Sequence, residues 1–259
     1  GGGSKPELIR SELARCFNGA GIVYQVLETT PATAIAAEVR AAVAAGADLV
    51  VAAGGDGTVS LVADGLVGAT VPLAIIPAGT ANVLARVLGV PPSVAEACEL
   101  AAGRHWVRRI DAMRVGETIY LLHIGIGVGS VFMRDTPREA KRRFGRLAYV
   151  YTALRTFIGF QPRRFMLVVD GVRQRVSGAH IVLANGGLIG SDVISWGEHI
   201  QPDDGVIDIC IVRAATLRDY LGVALDTALR RQHASRRLQY LTARKRIAVN
   251  VAKGGALPI

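Results

Sequence analysis

The stretch LVVAAGGDGTVSLVADGL, from Leu49 to Leu66, decides the fold of this chain. An apolar run stops at Gly54 and Gly55, and an Asp-Gly-Thr sequence then leads into a helical pattern. A continuous apolar run is typical of a parallel strand that is buried on both faces. The stretch therefore predicts a strand, a glycine-rich turn and a helix, as in layered α/β domains.

The same alternation extends over the first part of the chain. GIVYQVLET (21–29) and VPLAIIPAG (71–79) predict further strands. PATAIAAEVRAAVAAG (31–46), TANVLARVLG (80–89) and SVAEACELAAG (93–103) predict helices, the first of them ending near Gly46.

From about Trp106 the pattern changes to strands joined by turns. Gly116-Glu117 and Asp170-Gly171 each separate two apolar stretches, which is a hairpin signal. GVIDICIVRAA (205–215) and RKRIAVNVAK (244–253) predict two later strands. A helical pattern from Arg138 to Phe157 interrupts them.

The length of 259 residues favours more than one hydrophobic core. We place a boundary near residue 112. We predict an α/β nucleotide-binding domain over residues 1–112 and a β-rich domain over residues 113–259.

Charge and composition limit the possible partners. Lys and Arg number 30 against 21 Asp and Glu, so the net charge is +9, and an anionic partner is expected. Aromatic residues make up only 5%, which argues against base stacking and so against nucleic acid as the partner.

Cysteines and apolar runs bear on the compartment. The three cysteines are widely spaced, which predicts small buried residues in a reducing, cytoplasmic setting. The first twenty residues show no signal peptide. We interpret the uncharged run from Gly65 to Ala85 as a buried strand between loops, because Pro72, Pro77 and Gly79 interrupt it.

The GGDGT turn has the residue types of a phosphate site. Ligands of open α/β sheets bind at the carboxyl ends of the strands, and Gly54, Gly55 and Gly57 allow the backbone to approach a ligand closely. Thr58 is expected to cap the following helix, whose free N–H groups attract phosphate. Asp56 indicates a metal ion or a proton transfer, because a bare carboxylate repels phosphate. A tight turn with a capping aspartate is the alternative.

A second stretch, IIPAGTANVLAR (75–86), repeats the design one strand later. An apolar strand ends at Pro77, and Gly79, Thr80 and Asn82 then open a helix. Two adjacent strand ends that each offer glycine and threonine form a cradle of the size of a phosphate.

These two motifs, in this order, resemble the diacylglycerol kinase catalytic-domain family, which includes bacterial lipid kinases and sphingosine kinases. NAD kinases share the first motif. GIGVGSVF (125–132), KRRFGRLAY (141–149) and LANGGLIGSDVISWGEHIQPDDGVIDICIV (183–212) are similar to second-domain segments of that family. The resemblance covers nearly the whole chain.

The resemblance implies transfer of the γ-phosphoryl group of ATP to a lipid hydroxyl, with Mg²⁺ and with the active site between a Rossmann-like domain and a β-sandwich-like domain. The residues implied in binding the nucleotide are Thr29, Gly54, Gly55, Asp56, Gly57, Thr58, Val59, Ser60, Leu61, Gly79, Thr80 and Asn82. Asp56 would join the metal through water or accept the proton of the lipid hydroxyl. A homodimer is also compatible with the resemblance.

The segment QPDDGVID (201–208) carries the expected metal site. By resemblance, Asp204 supplies a carboxylate and a catalytic charge, with the backbone carbonyls of Gln201 and Val206 beside it. A bent loop that presents carboxylate and carbonyl oxygens suits a hard cation. An Asp-Asp-Gly hairpin turn is the alternative.

Some positions depart from the family pattern. Val83 and Gly129 stand where acidic residues are usual, and Ser60-Leu61 replaces an Asn-Glu pair. The family's first Asn-Pro strand and its C-terminal Asp-Gly-Glu segment are not found, so we expect that the sequence is part of a longer protein. An NAD kinase and a non-catalytic nucleotide or lipid sensor remain alternatives.

Two basic clusters are interpreted as contacts with an anionic membrane, the other possibility being a solvated charged face. A lipid kinase of this kind would be cytoplasmic and bind the membrane peripherally, where its lipid substrate lies. The first cluster comprises Arg134, Arg138, Lys141, Arg142, Arg143 and Arg146. The second comprises Arg230, Arg231, Arg236, Arg237, Arg244, Lys245 and Arg246, with no acidic residue nearby in sequence.

Overall fold

A computed structural model describes residues 6–127, 163–189, 191–197 and 199–251 of the chain. The chain divides into two compact units, Gly1–Leu121 and Leu122–Ile259. The predicted helix over 138–157 lies outside the described residues.

The first unit consists of helices around a pair of parallel strands. The strands are β1 (Val50–Gly54) and β2 (Leu73–Pro77), whose register runs from Val50 opposite Leu73 to Gly54 opposite Pro77. The helices are α1 (Pro6–Leu13), a π-helical turn (Ala14–Asn18), α2 (Ile35–Ala44), α3 (Asp56–Gly65), α4 (Val83–Val87) and α5 (Val94–Ala102).

The core of the first unit lies between β2, α1 and α5. Ile76 of β2 and Cys98 of α5 are fully buried, and Phe17 packs against the same cluster. Gly65 of α3 touches α2 so closely that an added Cβ would lie 2.6 Å from Cβ of Val39. The strand-turn-helix prediction from the opening stretch is therefore confirmed.

The strand predicted over 21–29 is wrong. Residues 22–30 have no regular secondary structure, and Val23 is 97% exposed. Ile22 and Tyr24 pack against the core, and the Tyr24 ring meets that of Phe17 edge-on at 5.5 Å. The apolar alternation thus anchors an extended segment through two side chains, and within the described residues no strand pairs with it.

A hairpin closes the first unit. Its strands are β3 (Met113–Val115) and β4 (Thr118–Tyr120), and the predicted Gly116-Glu117 turn joins them. β4 packs on α3, with Ile119 buried. The hairpin therefore belongs to the first compact unit, although the sequence boundary was predicted near 112.

The second unit contains antiparallel sheets, as predicted. Its strands are β5 (His123–Gly127), β6 (Arg163–Val169), β7 (Val172–Gly178), β8 (His180–Ala184), β9 (Leu188–Ile189), β10 (Ser191–Ser195), β11 (Ile207–Val212), β12 (Leu238–Ala243) and β13 (Ile247–Val251). One sheet has the order β12-β11-β8-β5 and another the order β13-β6-β7. An added Cβ on Gly178 of β7 would lie 2.9 Å from a methyl carbon of Ile211 in β11, so the sheets pack closely.

Helix α6 and the strands β9, β10 and β12 of the second unit were not predicted. Helix α6 (Leu217–Ala228) begins at a capping box, in which Thr216 and Asp219 satisfy each other's backbone N–H groups. β12 pairs with β11 over its whole length. The Thr-x-x-Asp spacing at 216–219 was the available helix signal.

The long uncharged run and the three cysteines of the chain contribute to its hydrophobic core. β2 lies inside the uncharged run from Gly65 to Ala85, as expected. Among the described residues, no helix combines the length and apolar character that crossing a membrane requires. All three cysteines are free thiols and buried, which confirms their predicted packing role.

Candidate functional site

The two glycine loops lie side by side because β1 and β2 are parallel neighbours. Gly54 pairs with Pro77 at the ends of the strands, and the amide of Ala78 donates to the Gly54 carbonyl at 3.0 Å. Just beyond, an added Cβ on Gly79 would lie 2.5 Å from Cα of Gly55. Only glycine at position 79 allows this approach, and the two loops form one joined structure, here called the glycine cradle (Gly54–Thr58 and Gly79–Asn82).

Helix α3 starts at the cradle without a side-chain cap. Gly55 is the N-cap residue and adopts an extended conformation. The prediction that Thr58 caps this helix is wrong: Thr58 is the third helical residue, and an added Cβ on Gly54 would lie 2.7 Å from its Cβ. The first N–H groups of an uncapped helix need other partners and suit an anion.

Asp56 connects the two loops of the cradle. Its Oδ1 accepts a hydrogen bond from the backbone N–H of Leu84 at 2.9 Å. Leu84 lies in the first turn of α4, whose N-cap, Asn82, makes no side-chain cap of its own. Asp56 therefore caps a helix 28 residues away, a role that neither loop indicates by itself.

Asn82 closes the second loop of the cradle. Its backbone is left-handed, with φ of 47°. Its Oδ1 accepts from the Gly79 amide at 2.8 Å, and its Nδ2 donates to the Gly79 carbonyl at 3.0 Å. The predicted ordering role of Asn82 corresponds to these two bonds.

The remaining predicted nucleotide-binding residues differ in exposure. Gly57 is exposed, and an added Cβ there would meet nothing within 4 Å. Val59 is 2% exposed, so its side chain belongs to the core. Leu61 and Thr80 are exposed, and Ser60 is half-buried. Thr29 is exposed in the extended segment before α2.

The predicted metal loop lies in the second unit, before β11. Asp204 is exposed, and its Oδ1 accepts from the Val206 amide at 2.9 Å across Gly205, which has φ of 70°. This is the bent loop that the sequence predicted, with Gln201 at its start. No group of three or more metal-ligating side chains occurs in the described part of the chain. A cation here would therefore depend on Asp204 and backbone carbonyls.

A histidine cluster next to this loop was missed by the sequence analysis. His199 Nε2 lies 3.2 Å from Oδ1 of buried Asp208, and His199 Nδ1 lies 2.9 Å from His233 Nε2. The ring of Tyr240 packs on both histidines. Burial raises the pKa of Asp208, and His199 opposes that shift. His199 and His233 lie 34 residues apart in the sequence and meet only in the folded protein. Their spacing in the sequence therefore gave no signal of the cluster.

His123 of β5 is half-buried, and its Nε2 lies 2.7 Å from the Gly186 carbonyl. The basic cluster at 134–146, and Gly129, lie outside the described residues. In the second basic cluster, Arg237 forms ion pairs with Asp219 and Asp226 at 3.6 Å each, so acidic residues are near it after all. The fold brings α6 beside it, which the local sequence could not show.

Comparison with known proteins accounts for both units. Residues 1–115 match the diacylglycerol kinase catalytic domain, and residues 123–258 match the YegS C-terminal NAD kinase beta sandwich-like domain. The chain belongs to the diacylglycerol kinase catalytic-domain family. Its two units are accordingly a catalytic-type α/β domain and a β-sandwich-like domain, and relatives of the chain are named diacylglycerol kinase or lipid kinase.

Individual relatives of this diacylglycerol kinase family member share about a third of its residues or fewer. The diacylglycerol kinase of Bacillus subtilis is 29% identical over 201 residues, which cover 72% of this chain and 64% of the relative. A Pseudomonas putida protein named "Probable lipid kinase YegS-like" is 32% identical over 155 residues, covering 58% of this chain and 52% of the relative. The chain thus spans about half to two thirds of these relatives.

A solved structure supports the fold over the whole chain. The crystal structure of a diacylglycerol kinase from Bacillus anthracis aligns with a TM-score of 0.77 at 24% identity, covering 99% of this chain and 84% of that one.

Proposed function

We propose that the protein is an ATP-dependent lipid kinase that phosphorylates the hydroxyl group of diacylglycerol or a related lipid alcohol. The observation that carries this proposal is the contact between Gly55 and Gly79, which joins two loops into one cradle beside the uncapped start of α3. Backbone N–H groups of this kind bind phosphate. The names of the relatives support a lipid as the acceptor.

Two features of the cradle support the proposal that it binds a triphosphate. Gly57 lies in the first turn of α3 in open space, and nothing in the protein itself demands glycine there. Thr80 is exposed on the second loop. The phosphates of ATP would lie against the backbone of Gly54–Gly57 and of Gly79–Thr80.

Oxygen donors suited to Mg²⁺ are present on the metal loop. Asp204 would hold the ion through its carboxylate, with the backbone carbonyls of Gln201 and Val206, which is the hard-oxygen chemistry that Mg²⁺ requires. When bound, the ion supplies positive charge that offsets the phosphate charge.

In the proposed reaction, the lipid hydroxyl oxygen forms a bond to the γ-phosphorus, and the bond from that phosphorus to the β–γ bridging oxygen breaks, releasing ADP. The hydroxyl proton must pass to a base. Asp56 is the candidate in this chain, because Leu84 holds its Oδ1 and thereby orients the carboxylate. The second role open to Asp56 is to bind a metal-coordinated water.

Two observations favour the sensor alternative. The capping bond to Leu84 gives Asp56 a structural reason to be present even without catalysis. Val83, which precedes Leu84 in α4, is buried and stands at a position where the family usually has an acid. A protein that binds ATP without phosphorylating any acceptor would fit these two facts.

The test uses the natural full-length protein with labelled ATP, Mg²⁺ and vesicles containing diacylglycerol, other lipid alcohols and a sphingoid base, with NAD as a separate acceptor. We expect label in one lipid and a loss of about 100-fold or more in Asp56→Asn. Asp64→Asn, at the other end of α3, is the matched control and should retain activity. Label in NAD would indicate an NAD kinase, and ATP binding without any labelled product would indicate a sensor.

A further inference from the structure

The segment that follows α5, residues 103–110 and here called the Trp106 segment, exposes an unusual amount of apolar surface. Trp106 is 99% exposed and Val107 is 67% exposed. Tryptophan is largely buried in most proteins. Where it is exposed, its amphipathic ring is typical of protein interfaces and of the boundary between membrane and water.

Positive charge surrounds these two apolar side chains. Arg104, His105, Arg108 and Arg109 are all exposed, and between residues 103 and 112 the sequence has one acidic residue, Asp111, which is half-buried. An apolar tip flanked by arginines is complementary to an anionic lipid surface, where the ring enters the headgroup region and the arginines meet lipid phosphates.

A cavity of about 780 Å³ in the first unit has the Trp106 segment as one wall. The facing walls come from β2 and α5, including Leu73, Ile75 and the 37% exposed Leu100. The lining is mostly apolar, and the volume falls within the range of about 300–1,000 Å³ that is usual for ligand sites. Hydrocarbon that enters beside Trp106 would therefore meet an apolar surface.

We propose that the Trp106 segment docks the protein on anionic lipid bilayers, with Trp106 and Val107 inserted among the headgroups and Arg108 and Arg109 bound to lipid phosphate. This surface is distinct from the two basic clusters that the sequence indicated, since it combines charge with apolar side chains. The inference builds on the proposed function, because docking gives a lipid kinase access to its substrate.

A second copy of the chain or another protein is the competing occupant. The charge of the segment favours the bilayer: a self-associating surface would bring the arginines of two copies together, which is repulsive. An anionic bilayer instead neutralises them.

The first experiment uses Trp106 as its own reporter. The 259 residues contain two tryptophans, so Trp196→Phe, together with Phe at any tryptophan that the full-length protein has outside them, leaves Trp106 as the single reporter. We expect its emission to shift to shorter wavelength on vesicles of phosphatidylcholine with about a third phosphatidylglycerol, and to be quenched by lipids brominated on their acyl chains. Vesicles of phosphatidylcholine alone should give neither effect.

The second experiment measures sedimentation with the same vesicles. Trp106→Ala should weaken partitioning about tenfold or more. The double variant Arg108→Gln, Arg109→Gln should weaken it by roughly 25-fold, at about fivefold for each arginine. Val107→Ser is compared with its matched control Val172→Ser. Val172 is 61% exposed on β7, and the control should bind as the wild type does.

The outcomes separate the docking proposal from the kinase proposal. Unchanged partitioning of Trp106→Ala and of the arginine variant overturns docking, as does a Trp106 substitution that alters only the oligomeric state. Wild-type phosphorylation of a detergent-dispersed lipid tests the kinase without any bilayer. Docking without phosphorylation of any lipid would leave this inference standing and remove the proposed function.

Discussion

Replacing Gly79 by alanine should damage both the fold and the binding of ATP. The added Cβ would lie 2.5 Å from Cα of Gly55 and 2.8 Å from Oδ1 of Asn82, whereas ordinary contact begins near 3.4 Å. The Gly55 contact is with backbone, so a strand end must move by roughly 1 Å. Overpacking of this kind costs about 1–3 kcal/mol of the free energy of unfolding.

Gly57→Ala is the matched variant in the same cradle. Its Cβ would meet no atom within 4 Å, and Gly57 is the second residue of α3. Alanine in a helix is favoured over glycine by up to about 1 kcal/mol, so this variant should be as stable as the wild type or slightly more stable. Because the open space is where phosphate would bind, Gly57→Ala should nevertheless weaken the binding of ATP.

Urea unfolding followed by far-UV circular dichroism gives the stabilities, and calorimetric titration with ATP and Mg²⁺ gives the affinities. The expected result is that Gly79→Ala loses both stability and affinity, whereas Gly57→Ala loses affinity alone. If Gly57→Ala binds ATP as tightly as the wild type does, the cradle is not the phosphate site. If Gly79→Ala is as stable as the wild type, Gly55 and Gly79 do not lie as close together as the structure shows.

Three further predictions concern single side chains. Asp56→Ala should lower the free energy of unfolding by about 1–3 kcal/mol because the part-buried N–H of Leu84 loses its acceptor, whereas Asp56→Asn should lose less in the same urea assay. Asp170 accepts backbone N–H bonds from residues 244–246, which lower its pKa, so the stability advantage over Asp170→Asn should shrink as pH falls below about 4. Burial lowers the pKa of His180 to about 4, so acid titrations should show stability falling from about pH 6.5 to 4, and less steeply in His180→Gln.

Each of these three predictions has an outcome that contradicts it. Equal loss of stability in the two Asp56 variants would show that charge matters there rather than the acceptor. A pH-independent advantage of Asp170 over asparagine, which also tolerates its φ of 49°, would remove the role of the carboxylate charge. A histidine variant with the wild-type pH profile would mean that another group titrates in that window.

Most of the fold could be predicted because local patterns and tertiary packing agree. The apolar run of β1, the helical pattern of α3 and the Asp170-Gly171 turn each satisfy their own local rules, although only Ala52 of β1 is fully buried. The strand prediction over 21–29 failed because an alternating pattern shows which side chains are apolar. It does not show whether a partner strand pairs with the segment. Helix α6 was missed although its capping box, formed by Thr216 and Asp219, is a local signal that the sequence analysis did not use.

The candidate site was predictable in position but not in its internal contacts. Parallel strands bring their carboxyl ends together, so the meeting of the two glycine loops follows from the α/β pattern. The histidine cluster around Asp208 did not follow, because His233 reaches His199 only after β11 and β12 pair. The partners of Arg237 were hidden for the same reason, since Asp219 and Asp226 lie on α6.

The bond from Leu84 to Asp56 changes how the two motifs are understood. For Leu84 to present its N–H there, α4 must begin directly after Asn82, and the left-handed backbone of Asn82 makes that sharp start possible. That conformation is held in turn by the two bonds to Gly79, which itself must be glycine to touch Gly55. Each residue type therefore satisfies a requirement set by the other loop. It follows that GGDGT and GTAN form one structural unit, and that Asp56 of the first motif stabilises the fold whether or not phosphate binds.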